Sequence, residues 1–303
     1  MPPDDSVLRI DGPWSHRVVS AGGARFHVVE AGEGPLVLLL HGFPEFWWAW
    51  RYQLPALAHA GYRAVAMDLR GYGLSDKPPR GYDPYTLAND VSGVVRALGE
   101  ASGIVVGHGW GGFLAWTTAV VHPDSLEALC AVSMPHPRRL REAVTTEPRQ
   151  IAASKYTVAF QRPLLAERSI LKDHAAYIGE LLDRWSAPGW PDEQTAKVYR
   201  TAMQVSGVAH SALEYHRWLM RSLPRPDGLR FAARMKQPVS VPVLHIQGEL
   251  DTAVLPKSSE GSDRYVAGPY TRRVIQGVGH FPHEEAPNEF TAELLDWLAK
   301  TTG

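Results

Sequence analysis

Two side chains in the C-terminal third of this 303-residue chain have the types and the placing for acid–base chemistry. Asp251 lies in Gly248-Glu249-Leu250-Asp251, just past the apolar run Val243-Leu244-His245-Ile246. His280 lies in Gly277-Val278-Gly279-His280-Phe281-Pro282, past the next such run. A carboxylate bonded to an imidazole fixes its tautomer and stabilises its protonated form, which leaves the second ring nitrogen as a general base. A third position belongs to the pattern although it carries no chemistry. In Gly107-His108-Gly109-Trp110-Gly111-Gly112 an apolar run leads in and a helical pattern leads out, so the glycines mark a sharp turn between strand and helix. Its apex is Gly109, which has no side chain to attack with. Backbone amides are the remaining tools. That of Trp110, at a helix N-terminus, and that of Phe43, in the loop His41-Gly42-Phe43-Pro44, are the expected oxyanion hole.

The elements that must carry these groups are legible as runs. Residues 16–20 and 25–30 alternate around Gly22-Gly23 as a hairpin does. Leu36-Val37-Leu38-Leu39-Leu40 is continuously apolar, as in a strand buried on both faces. A helix over 46–58, a strand over 63–67, a Gly-punctuated loop over 68–75, a helix over 86–98 and strands over 104–106 and 126–132 follow. Strands alternating with helices imply a mostly parallel central sheet flanked by helices, an α/β fold. The alternation stops at Met134-Pro135-His136-Pro137, and helical patterns alone run to about Pro238. It resumes with strands over 241–246 and 272–275 and a closing helix over 289–298. The expected organisation is a core of residues 1–134 and 239–303 carrying a helical cap of residues 135–238, inserted after the strand over 126–132. Open parallel sheets place ligands at the carboxyl ends of their strands, so Asp251 and His280 are expected in one crevice beside the turn at Gly109.

Composition narrows the class of function. The chain is 45% hydrophobic and 21% charged with a net charge of −1, a globular balance that implies no nucleic-acid partner. No apolar run approaches the ~18 residues of a membrane span, and the first residues, Met1-Pro2-Pro3-Asp4-Asp5, lack the features of a leader, so a cytoplasmic protein is expected. The single cysteine, Cys130, fits a reducing compartment and a place in the core. No metal-ligand spacing stands out among the 13 histidines, and no cofactor is expected. The expected partner is a small molecule.

From about residue 16 to residue 298 the order of these motifs resembles the α/β-hydrolase fold. In detail it resembles the epoxide hydrolase branch, on His41-Gly42-Phe43-Pro44-Glu45, a histidine and a tryptophan around the turn at 109, and Phe160-Gln161-Arg162-Pro163 in the cap. Haloalkane dehalogenases share several of these motifs. The resemblance implies an aspartate at position 109 that attacks carbon to form an ester, and two cap tyrosines that hydrogen-bond the epoxide oxygen. This chain departs at all three places. Gly109 replaces the aspartate, and the tyrosine positions look like Ala159 and His216, with Tyr156 and Tyr215 nearby. Tyr156 keeps roughly the helix face of Ala159, whereas Tyr215 is turned by ~100° from His216. Restoring the carboxylate alone is therefore expected to give weak activity, with a clear gain only when Ala159 and His216 also become tyrosines.

A single change at Gly109 would suit an engineered nucleophile knockout, whereas three departures together suit a natural, divergent member. Two functions then stand side by side. One is a hydrolase of a small or medium apolar substrate, in which the His280–Asp251 dyad activates water directly. The other is a non-catalytic binding or sensing protein that keeps the pocket. In either case the pocket is expected to draw on His41, Pro44, Trp47, Trp48, His108 and Phe281 from the core and on Tyr156, Ala159, Tyr215 and His216 from the cap, beside Phe43 and Trp110.

Overall fold

The computed structural model describes residues 2–301. Its centre is an eight-stranded sheet in the order β1-β2-β4-β3-β5-β6-β7-β8. β1 (Ser15–Ala21) and β2 (Ala24–Ala31) form an antiparallel hairpin, and β2 pairs antiparallel with β4 (Arg63–Met67). From β4 through β3 (Leu36–Leu40), β5 (Gly103–His108), β6 (Leu126–Val132), β7 (Val243–Gly248) and β8 (Tyr270–Ile275) every pairing is parallel. All five residues of β3 are buried, as their unbroken apolar run requires, and fully burying each such leucine contributes about 1.5–3 kcal/mol. The chain steps from β3 to β4 on one side and then crosses to β5 on the other. That reversal opens a crevice beyond the carboxyl ends of β3 and β5, where open α/β sheets hold their ligands.

Helices α1 (Gln53–His59), α2 (Pro84–Ala97) and α3 (Trp110–Val121) connect the first strands. The helix expected over 46–58 is two pieces, a 3₁₀ turn at Trp47–Trp50 and then α1. Pro55 explains the break. In one long helix it would sit in the interior and cost ~3 kcal/mol, whereas as the third residue of α1 it occupies a turn whose N–H groups have no helical partner in any case. The loop after β4 is held by Asp68, which accepts from the Trp47 and Leu74 amides and lies 2.8 Å from His27 Nδ1.

Between β6 and β7 come α4 (Pro137–Thr146), α5 (Pro148–Ala153), α6 (Tyr156–Ala159), α7 (Leu165–Trp185), α8 (Glu193–Gln204), α9 (Val208–Arg221) and α10 (Pro226–Arg234). Pro137, Pro148 and Pro226 each open a helix, where a missing N–H costs nothing. α7 is broken by non-helical residues 172–175, three of them in the left-handed region. α11 (Pro256–Ser259), α12 (Pro282–Glu285) and α13 (Pro287–Thr301) complete the chain. No helix among the described residues is long and apolar enough to cross a membrane.

The helical block has one buried tie of its own. The Arg217 guanidinium on α9, 1% exposed, donates to both Glu167 oxygens on α7, to Glu214 and to the Phe160 carbonyl at the end of α6. Removing one partner of such a buried pair leaves a charge uncompensated. Arg217→Met is expected to lower unfolding stability by about 3 kcal/mol, read as a shifted urea midpoint. A loss under 1 kcal/mol would show that the network is dispensable.

Candidate active site

The turn at 107–112 is built from close backbone approach. A Cβ on Gly107 would lie 2.2 Å from the Gly111 carbonyl oxygen, and one on Gly111 would lie 2.1 Å from that of Leu40, so strand, turn and neighbouring strand meet where only glycine fits. Gly109 at the apex has φ +50° and ψ −117°, and Trp110 begins α3. A Cβ placed on Gly109 meets ordinary contacts only, Gly42 Cα at 3.5 Å and His280 Nε2 at 3.9 Å. The position therefore has room for a side chain, and that room is faced by an imidazole nitrogen.

His280 is aimed there by Asp251. Nδ1 of His280 lies 2.8 Å from Asp251 Oδ2, both side chains being buried. Asp251 is itself held by the Ala253 and Val254 amides, which donate to Oδ1, and by Gln247 Nε2, which donates to Oδ2. With Asp251 Oδ2 as the acceptor beside it, the imidazole carries its proton on Nδ1, so the Nε2 lone pair faces Gly109. The His280 amide donates to the Trp185 carbonyl at the end of α7, which seats the ring beneath the helical block.

The neighbouring backbone amides are nearly all spent. Gly42 N–H goes to Glu45 Oε2, Gly109 N–H to the Val132 carbonyl and Gly111 N–H to the His41 carbonyl. The amides of Phe43 and Trp110 are left without a partner among the described residues. That of Trp110 opens α3, where the positive end of the helix dipole lies. These groups border a cavity of about 290 Å³ between the strand ends and the helical block. Phe43, Gly109, Trp110, Tyr156, His216 and His280 line it. Phe113, Met134, Leu140, Val144, Trp185 and Phe231 supply much of its apolar wall. No periodicity marked these six as pocket residues rather than core, since an apolar side chain facing a cavity reads like one facing a neighbour.

Eight expected pocket residues lie elsewhere. Trp47 is in the core with its indole donating to the Leu8 carbonyl, and Trp48 stacks on Phe46 beneath the Arg51 guanidinium. His41 lies under the loop, its Nδ1 2.8 Å from the Gly42 carbonyl and its Nε2 accepting the Leu69 amide. Pro44, in a cis peptide with Phe43, is buried outside the cavity lining, and Phe281 packs between His108 and Trp190. Tyr215 points to the core, donating to the Arg70 carbonyl against Tyr72. Ala159 borders a separate cavity with Phe160 and Leu165.

His108 is the eighth. Its Nδ1 lies 2.6 Å from Glu45 Oε2, its Nε2 lies 2.9 Å from the His280 carbonyl, and Glu45 Oε1 lies 3.0 Å from His283 Nε2. Burial opposes charge on His108 and the Glu45 carboxylate favours it, with the ring's pKa raised on balance; a carboxylate oxygen at Nδ1 and a carbonyl oxygen at Nε2 each call for a donated proton. Glu45, His108 and His283 are close enough to hold a metal, but both His108 nitrogens are engaged, and Glu45, His108 and the His280 carbonyl form a hydrogen-bonded strut under the His280 loop with His283 beside it. Sequence spacing gave no sign of this cluster, whose members are far apart in the chain.

His216 and Tyr156 divide what remains of the proton donors. His216 Nδ1 donates to the Ala212 carbonyl one turn back, its Nε2 accepts the Trp110 indole N–H at 3.2 Å, and burial lowers its pKa to about 4. A neutral imidazole with both nitrogens engaged has no proton for a ligand. Tyr156 lies against Phe160, Trp185 and His216, its phenol pKa is pushed up by burial, and its hydroxyl has no hydrogen-bond partner among the described residues.

Residues 35–287 match the family described as alpha/beta hydrolase fold. Over 291 residues the chain is 35% identical to epoxide hydrolase 3 of Xenopus tropicalis, with 91% of this chain and 75% of that one covered. It is 31% identical to epoxide hydrolase A of Mycobacterium tuberculosis over 95% of this chain and 98% of that one. Among solved structures, an epoxide hydrolase from an endophytic Streptomyces superposes with a TM-score of 0.83 at 32% identity, covering 95% of this chain and 96% of that one.

Proposed function

From the chain's membership of the α/β-hydrolase fold family, in its epoxide hydrolase branch, we propose a hydrolase in which the His280–Asp251 dyad activates water directly at the place of the missing nucleophile. The observation that carries this reading is the position of His280 Nε2, 3.9 Å from where a Cβ on Gly109 would stand. Water held above Gly109 gives its proton to Nε2 as its oxygen attacks an electrophilic carbon of the substrate. With an epoxide, the C–O bond at that carbon breaks and the oxygen takes the Tyr156 proton. The imidazolium then returns a proton to the phenolate through solvent, and the net change is addition of one water to give a diol. With an ester, the charge develops on a carbonyl oxygen, which the Phe43 and Trp110 amides are free to receive. Residues 135–238 serve as a cap that, with the core of residues 1–134 and 239–303, encloses a small or medium apolar substrate.

Single turnover in ¹⁸O-water tests the route. An attacking carboxylate puts its own oxygen into the first product molecule, whereas direct attack labels that molecule fully. Full labelling in the first turnover is expected, together with a loss of about 10²-fold in epoxide opening in Tyr156→Phe. Unlabelled first product would sink the direct route.

The second reading, a non-catalytic ligand-binding protein, is favoured by the locked state of His216 together with the absence of a nucleophile at 109. It predicts saturable binding of apolar ligands with no turnover of epoxides or esters.

A further inference from the structure

Exposed apolar side chains are concentrated on one part of the helical block. Of the ten large apolar residues that stand exposed among the described residues, five lie between α5 and the second turn of α7: Ile151, Val158, Leu164, Leu165 and Leu171, each between 40% and 69% exposed. On α7 their placing follows from helical spacing. Ala166 and Ile170, four apart, are buried, so Leu165, Arg168 and Leu171, in steps of three, share the outer face. Cations fill the gaps between the aliphatic tips. Arg149, Lys155, Arg162 and Arg168 are exposed, and their side chains have no ion pair or hydrogen bond among the described residues. The one acid between Pro148 and Lys172 is Glu167, which Arg217 and His210 already occupy.

The same sign extends over the whole block. Residues 135–238 hold 17 Lys and Arg against 10 Asp and Glu, a net charge of +7 in a chain whose total is −1, so the remainder carries −8. The patch is also where the cavity opens. Ile151, Lys155 and Val158 are three of the four exposed residues that line it, Thr145 being the fourth.

Single exposed aliphatic residues are ordinary, but five of them interleaved with unpaired cations match an anionic bilayer, whose acyl boundary receives the aliphatic tips while its phosphates meet the cations. A second copy of the chain fits less well. A two-fold interface sets a patch against itself, and here that would bring four unpaired cations against four more with no free acid between them. An acidic protein would answer the charge but not the apolar cavity that opens through the patch.

We infer that the face formed by α5, α6 and the start of α7 docks on an anionic lipid surface. Docking sets the cavity mouth against the bilayer, so that an apolar ligand dissolved there enters the cavity without crossing water. The attachment is peripheral, made by side chains that stand outside the dyad and the turn at 109.

Flotation of the full-length protein with vesicles tests this, with phosphatidylglycerol and phosphatidylcholine in equal parts set against phosphatidylcholine alone. Partitioning is expected to be at least about tenfold stronger on the anionic vesicles, and to weaken as salt rises from about 20 to about 500 mM. Arg149→Gln/Lys155→Gln/Arg162→Gln/Arg168→Gln should lose the preference for anionic lipid. Val158→Ser/Leu164→Ser/Leu165→Ser should keep it while partitioning about tenfold more weakly. An environment-sensitive dye on Leu165→Cys should shift to the blue on attachment, and the same dye on Val18→Cys, exposed on the edge strand β1, should not. His280→Gln should attach as the wild type does, so that docking and the hydrolytic reading fail separately. Circular dichroism confirms that each variant is folded. Equal partitioning on the two kinds of vesicle, no partitioning on either, or attachment undiminished in the fourfold charge variant would each overturn the assignment. So would a patch-dependent rise in mass during sedimentation without vesicles, which would give the face to another copy of the chain.

Discussion

His280→Gln is expected to lower turnover of any epoxide or ester that the protein hydrolyses by about 10³-fold, and Asp251→Asn by up to about 10⁴-fold. A thousandfold corresponds to ~4 kcal/mol of barrier, more than any apolar contact in the cavity supplies. Glutamine keeps a polar group near the ring's place but accepts no proton at neutral pH. Asparagine acts more indirectly. Its amide N–H can be turned toward His280 Nδ1, which moves the ring proton to Nε2 and leaves no lone pair facing Gly109. The Ala253 and Val254 amides still find an oxygen on the asparagine, which holds the loop, while Gln247 Nε2 loses the acceptor that becomes the amide nitrogen. Initial rates on a panel of aryl epoxides and short esters, with circular dichroism to confirm folding, check both. Rates within tenfold of the wild type would remove the dyad from the mechanism.

Gly109→Asp is expected to change the chemistry outright, from the proposed direct water attack to a covalent ester between enzyme and epoxide carbon. The ideal Cβ at 109 meets nothing closer than 3.5 Å, so the new side chain has room, with its carboxylate beside His280 Nε2. The strain of a non-glycine residue at φ +50° costs of order 1–3 kcal/mol, a destabilisation that the folded core should survive. A proton for the epoxide oxygen is the other requirement. The family resemblance implies donors at the positions of Ala159 and His216, with Tyr156 nearby. The structure puts Ala159 against a different cavity and leaves His216 with no proton to give, while Tyr156 lines the cavity with a free hydroxyl. Ala159→Tyr is therefore no part of the repair. Gly109→Asp should form an adduct of the epoxide's mass with styrene oxide when His280→Gln is added to block hydrolysis of the ester, seen in the intact-protein mass spectrum. Adding Tyr156→Phe should slow its formation by about 10²-fold. A folded Gly109→Asp/His280→Gln protein that forms no adduct would show that the turn at 109 does not aim a side chain at the cavity.

How far these residues can be read from the chain depends on the kind of physics that places them. Leu36–Leu40 and the glycines at 107, 111 and 112 are governed locally, by burial on both faces and by backbone approach, and their positions follow from the residue types. Asp251 and His280 follow from strand order, because each stands just past a buried strand. The walls do not. Trp47 and Trp48 read as pocket aromatics for their size and place after the first central strand, yet the Leu8 carbonyl and the Phe46 ring, contacts that periodicity does not encode, draw them inward. Tyr215 and His216 show the limit most sharply. One residue apart on α9, they point about 100° apart, one hydrogen-bonding to the Arg70 carbonyl and one to the Trp110 indole, and the rotation of the helix about its axis decides between them.

The dyad, the two free amides and the turn at 109 all stand on segments that leave the carboxyl ends of sheet strands, whereas most of the cavity's remaining lining comes from helices between Pro137 and Met235. In the proposed hydrolase reactivity and selectivity thus occupy separate stretches of chain, and the two can be inherited on different terms. Exchange of the helical stretch between relatives would recombine one protein's appetite with another's chemistry while leaving β3, β5, β7 and β8 in register. A lineage built this way can explore new ligands without first dismantling the apparatus that acts on them.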